Sequence, residues 1–148
     1  SRIGAMGVMA IVSILMLKVS LLDAVQQPAR WPVIILMPVA GRCALVIMMK
    51  ALPYVRQEGG LATLFQNGNS SFLIIWSIVF LCTAGWFSFM WAGIVAAMAS
   101  LTVTLLFIVW CHLKIGGFTG DTLGAVCELA ETVPPLAALV CMRCGLIS

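Results

Sequence analysis

Three carboxylates, Asp121, Glu128 and Glu131, stand within a short stretch of a chain that is otherwise almost pure hydrocarbon. Removing a carboxylate from water into lipid or an apolar bundle costs several kcal/mol, so ionisable groups in such a setting point first to a site. Seven residues separate Asp121 from Glu128. At about 100° per residue that is almost two turns, which puts both on one helix face, with Glu131 about 80° round at its rim. Gly124 and Ala125 lie between them and leave room for a ligand or another backbone. A stripe of hard oxygen donors suits Mg²⁺, which takes one or two carboxylates and completes its shell with water and substrate phosphates. The structural alternative is that Asp121 caps a helix while Glu128 and Glu131 pair with Arg42 or Lys18.

The segment Gly116-Gly117-Phe118-Thr119-Gly120 precedes that stripe. Glycines let backbone N–H groups approach an anion, and a helix N-terminus favours negative charge, so a diphosphate fits here if a metal screens the carboxylates. Arg42 follows Gly41 inside an apolar run and needs an ion-pair partner or a phosphate. The segment Arg56-Gln57-Glu58-Gly59-Gly60-Leu61 has the composition of a ligand-facing loop or of an ordinary solvated one. His112 beside Lys114 reads as a surface histidine at a membrane boundary. Of the six cysteines, Cys141 and Cys144 form a CxxC, but no second pair completes a zinc site, and packing is the simpler role.

The elements that must position these groups follow from composition. Of 148 residues, 63% are hydrophobic and 9% charged. That is far below the charge of about 25% found in soluble domains, so the chain reads as an integral membrane protein. A net charge of +3 without a basic patch speaks against nucleic acid as a partner. The expected fold is an all-α, polytopic membrane bundle of about five helices, forming one domain over 1–148, with spans near 3–22, 31–49, 72–87, 91–111 and 122–142. The uncharged run 72–111 is too long for one span and is split near Gly85–Trp91 by a tight turn. Pro134-Pro135 is expected to kink or break the last span. Five spans place Arg2, Lys50, Arg56 and Lys114 on one side and Arg30 and Arg143 on the other; the richer side is expected to be cytoplasmic. The polar segments 50–71 and 112–121 fall on that same face. The first residue is Ser1 and not Met, the first apolar run lacks the cleavage site of a signal peptide, and the chain reads as a piece of a longer one.

The run Gly-Gly-Phe-Thr-Gly-Asp-Thr-Leu-Gly-Ala-Val-Cys-Glu-Leu-Ala-Glu, from Gly116 to Glu131, closely resembles the C-terminal signature of the cobalamin synthase family, the adenosylcobinamide-GDP ribazoletransferases. Ser1-Arg2-Ile3-Gly4 resembles the family's Ser-Arg-x-Gly segment ahead of a membrane helix. Gly41-Arg42 and Arg56-Gln57-Glu58-Gly59 resemble its Gly-Arg and Arg-x-Glu-Gly elements, in the same order. The family's aspartate-rich N-terminal segment, of the type Asp-Gly-x-x-Asp-x-x-Asp-Gly, has no counterpart, so the chain resembles the larger, C-terminal portion of such an enzyme.

The resemblance implies transfer of the cobinamide-phosphate moiety of adenosylcobinamide-GDP to α-ribazole or its 5′-phosphate, with release of GMP, in a bacterial cytoplasmic (inner) membrane and with Mg²⁺. It implies Asp121 and Glu128 as catalytic groups, Asp121, Glu128 and Glu131 as metal ligands, and Arg2, Arg42, Arg56, Gly116, Gly117, Thr119 and Gly120 as substrate contacts. The expected partners are those two small molecules and the lipid bilayer, with room for a homo-oligomer. The competing expectation is a transporter or channel fragment with an intramembrane acidic site. Transporters use broken helices and buried charge, but the paired inverted repeat they require is not visible.

Overall fold

The computed structural model describes residues 5–55 and 70–145. They form α1 (Ala5–Ala24), α2 (Arg30–Ala51), α3 (Ser70–Phe89), α4 (Trp91–Ile115) and α5 (Gly120–Arg143), with no strand among the described residues. All five are long and apolar enough to cross a membrane, as a multi-pass membrane protein requires. An α-helix satisfies its backbone within the segment, which is why such sequences fold this way in hydrocarbon.

Helices α2 and α5 form the centre and share the most extensive contact of the bundle. Ala44, Ile47 and Met48 of α2 meet Val126 and Ala130 of α5 and Ile108 and Cys111 of α4, with Phe118 fully buried beside them. A second cluster joins Leu36, Ala40 and Cys43 to Leu81 of α3 and Ala96 and Ala97 of α4. Alanine recurs at these contacts because close backbone approach, rather than expulsion of water, drives helix association in lipid. Outward faces are apolar: Val12 and Met16 on α1, and Phe72, Trp76 and Phe80 on α3, are exposed.

The hairpin between α3 and α4 turns at Met90, whose φ of 51° reverses the chain in a single residue. Just beyond the turn the two backbones nearly touch. A Cβ built on Gly93 would collide with the Gly85 carbonyl, and one built on Gly85 would lie 2.5 Å from the Gly93 carbonyl oxygen. The obstacle is backbone, which cannot swing aside. Gly93→Ala is therefore expected to destabilise the protein by about 1–3 kcal/mol through overpacking. The check is a lower apparent Tm in detergent. An unchanged Tm would show that the hairpin opens without cost.

The double proline does not break α5, one of the two outcomes expected of it. Helix α5 runs unbroken from Gly120 to Arg143 through Pro134 and Pro135, both buried, and α2 likewise contains Pro38. A proline inside a helix loses a backbone hydrogen bond, and neighbouring helices in a membrane bundle let the helix continue through it.

One end of the bundle is closed by the segments that follow α2 and α4. The Phe118 N–H donates to the Pro53 carbonyl at 2.9 Å, and the Val55 N–H donates to the Phe118 carbonyl at 3.1 Å. The Tyr54 and Phe118 rings lie 5.3 Å apart. Gly117 is buried against this strap, where a Cβ would strike the Pro53 carbonyl. The end of α2, the end of α4 and the start of α5 thus share one face. That brings 50–55 together with 112–121, the two polar stretches among the described residues that the sequence placed on one side.

Candidate active site between α1 and α5

Helix α5 opens with a cap, for which Asp121 is the candidate of the structural alternative. The structure gives it to Thr119, whose side chain accepts from the Thr122 N–H at 3.3 Å, while Thr122 Oγ1 accepts from the Thr119 N–H at 2.8 Å. Asp121 sits in the first turn instead, where a negative charge is favoured by the helix dipole. The change matters for chemistry, because a capping carboxylate would be occupied by backbone N–H groups. Among the described residues, no ion pair or hydrogen bond engages the Asp121 carboxylate.

Helices α1 and α5 enclose a cavity of about 680 Å³. On α5 it is lined by Gly120, Asp121, Gly124, Ala125 and Glu128, successive turns of one stripe; on α1 by Gly7, Ala10, Ile11, Ile14 and Leu15. Gly7 and Ala10 keep α1 low at the mouth, and Gly124 and Ala125 do the same on the facing wall. The spacing argument that put Asp121 and Glu128 on one face corresponds here to one wall of one cavity.

Lys18 lies beyond Leu15, one turn on from Ile14 along the same face of α1. It is the single buried residue of the described stretch 7–24. Its ammonium donates to Glu128 Oε2 at 2.6 Å and to Glu131 Oε2 at 2.7 Å. Glu131 Oε1 accepts in turn from the Cys127 thiol at 3.4 Å. The two glutamates differ accordingly. Both oxygens of Glu131 are engaged and its side chain is 19% exposed, whereas Glu128 is engaged through one oxygen and is 45% exposed. The Lys18 partnership was one of the two structural pairings open to the glutamates, and Arg42 takes no part in it.

Arg42 faces elsewhere. Its guanidinium donates to Cys127 Sγ at 3.5 Å and lines a shallow groove with Trp76, Ser77 and Phe80 of α3. It is not among the residues that line the α1–α5 cavity. Of the glycine-rich loop, Gly120 lines the cavity, while Gly116 ends α4 with a left-handed φ of 78° and Gly117 packs on the strap. The Thr119 hydroxyl serves the cap. Arg2 and Arg56 lie outside the described residues.

The donor set can be weighed against a divalent cation. Among the described residues no three His, Cys, Asp or Glu side chains stand close enough together to hold a metal ion. Asp121 and Glu128 nevertheless line one cavity wall. Two carboxylates with the balance supplied by phosphate and water is the ordinary Mg²⁺ arrangement. The residues present fit a cation shared with a phosphate-bearing ligand and do not make a cage of protein alone. From the sequence Lys18 is only a structural partner for the glutamates, and the structure places its ammonium on both of them. Its signal was a lone cation in an apolar span, which must find a partner.

The family model for cobalamin-5-phosphate synthase matches residues 1–140. Curated relatives named adenosylcobinamide-GDP ribazoletransferase include that of Brevibacillus brevis, 33% identical over 137 residues, with 90% of this chain and 54% of the relative covered. That of Geotalea daltonii is 35% identical over 131 residues, covering 88% and 52%. That of Clostridium novyi is 33% identical over 151 residues, covering 99% and 59%. The chain thus spans a little over half the length of the relatives it matches. No solved structure matches it.

Proposed function

Because the chain belongs to the cobalamin-5-phosphate synthase family, we propose that it serves in the reaction for which its relatives are named, the transfer of an adenosylcobinamide phosphate from GDP linkage to α-ribazole. In this reading a hydroxyl of α-ribazole, or of its 5′-phosphate, attacks the phosphorus that bears cobinamide. A new P–O bond forms, the bond to the GMP phosphate breaks, the hydroxyl proton is lost and GMP leaves. The observation that carries the reading is that Gly116–Glu131, the longest stretch of the family resemblance, supplies the acidic wall of the α1–α5 cavity.

Phosphoryl transfer asks mainly for positioning and for neutralisation of charge. Asp121 and Glu128 are the groups for both. Magnesium held by them would offset the charge on the two phosphates. Glu128, anchored by Lys18 at one oxygen, directs the other towards the cavity, where it can orient or accept from the attacking hydroxyl. Asp121, at the mouth, is free to swing towards a pyrophosphate. Gly120, Gly124 and Ala125 leave the ligand room against the helix. Arg42 serves this reading only from its separate groove between α2 and α3, and Arg2 and Arg56 are supported by the resemblance alone. Counted on the sequence, Arg2, Lys50, Arg56 and Lys114 against Arg30 and Arg143 favour the cytoplasm of a bacterial inner membrane for the face that carries Asp121.

The test is direct. Full-length protein purified in detergent, given Mg²⁺, adenosylcobinamide-GDP and α-ribazole, is expected to release one GMP per corrinoid product. Absence of GMP release from protein that remains folded sinks the reading.

A further inference from the structure

Lys18 does more than neutralise a carboxylate. Two glutamates converge on its ammonium from successive turns of α5, and it is α1's one buried residue over 7–24. It takes Oε2 from each of them, and the Cys127 thiol takes the remaining oxygen of Glu131. One carboxylate is thereby closed to ligands and its neighbour is held half-open on the wall of the cavity. We propose that Lys18 is a positioning residue, which fixes the free oxygen of Glu128 towards the cavity and withholds Glu131 from any cation that enters. The proposal rests on the reading of the α1–α5 cavity as the transferase site.

Charge counting sharpens it. Asp121, Glu128 and Glu131 bring three negative charges against the one positive charge of Lys18. Without Lys18 the cavity gains a full charge of attraction for a divalent cation and offers it two freed oxygens, Oε2 of Glu128 and Oε2 of Glu131. Removing a neighbouring positive charge strengthens the attraction of the remaining carboxylates for a cation, so the change in cation binding is large. The freed carboxylates would draw the cation deeper, away from Asp121, and Glu128 would lose its aim. The signature is a cation bound more tightly by a slower enzyme.

The experiment uses full-length protein in detergent, with Mn²⁺ as the probe and free Mn²⁺ read by electron paramagnetic resonance, beside GMP release and thermal unfolding. Lys18→Met is expected to bind Mn²⁺ at least about tenfold more tightly while turnover at saturating metal falls by at least about tenfold. A purely structural lysine would lower stability and leave cation affinity unchanged or weaker, and that result overturns the proposal. Lys18→Met combined with Glu131→Gln removes one charge of each sign. It is expected to return the apparent Tm and the Mn²⁺ affinity towards those of the parent but not to return turnover. Recovery of turnover together with stability would show that Lys18 only balanced Glu131, and would also overturn the proposal. If Lys18→Met does not fold, the double variant decides alone. If the parent protein releases no GMP, the transferase reading fails separately, and the Mn²⁺ affinities still judge Lys18.

Discussion

Asp121→Asn is expected to leave the protein folded and to lower GMP release by about 10²–10³-fold, the scale on which removal of one preorganised electrostatic group is felt in other active sites. The substitution keeps size and shape and removes one charge. Structure predicts little loss of stability, because the Asp121 carboxylate makes no ion pair or hydrogen bond among the described residues. All that folding loses is a favourable charge in the first turn of α5, worth about 0.3–1 kcal/mol. Chemistry loses much more, since Asp121 is the carboxylate at the cavity wall that no protein cation already holds. Asp23→Asn is the control. Asp23 is 88% exposed at the far end of α1 and meets Arg30 at 3.8 Å, so its removal is expected to change neither property measurably. GMP release within about threefold of the parent for Asp121→Asn would show that the carboxylate has no part in positioning or neutralisation.

What was legible in the sequence, and what was not, divides on one physical line. Within one helix, spacing fixes geometry. Five apolar runs could only become five helices, because hydrocarbon leaves backbone groups no other partner. Asp121 and Glu128, seven apart, share a cavity wall for the same reason. Between helices, spacing is silent. Lys18 and Glu131 are 113 residues apart, and nothing local says that α1 lies against α5 with the two running in the same direction. Arg42 and Lys18 were equal candidates for the glutamates until packing turned Arg42 towards α3. The cap was ambiguous for another reason. Thr119 and Asp121 are both good N-cap residues, and Thr122, three residues after Thr119, tipped the choice by returning the hydrogen bond. The double proline did not break α5, because Pro134 and Pro135 are fully buried and neighbouring helices tolerate the lost backbone bonds.

Gly41→Leu is expected to cost about 1–3 kcal/mol, the range for overpacking a close contact, and to disturb an ion pair although the glycine itself carries no charge. The reason lies across the α2–α5 contact. A Cβ on Gly41 would stand 2.6 Å from Glu131 Oε1, 2.7 Å from Glu131 Cγ and 2.9 Å from Cys127 Sγ. Glycine is therefore the residue that lets the Glu131 side chain lie flat against α2 and reach Lys18. A leucine would push Glu131 off α2, breaking its hydrogen bond from Cys127 and loosening the clamp that docks α1. The apparent Tm should fall, and protease should cut α1 sooner. Alanine should do the same more mildly, since the Glu131 carboxylate is the far end of a flexible chain and can yield a little. A double-mutant cycle separates this route from simple overpacking. If Gly41 acts through Glu131, then Gly41→Ala in a Glu131→Ala background removes nothing that is not already lost, and the two costs fall well short of their sum. Strict additivity would place the damage in the α2–α5 packing alone and leave the clamp out of it.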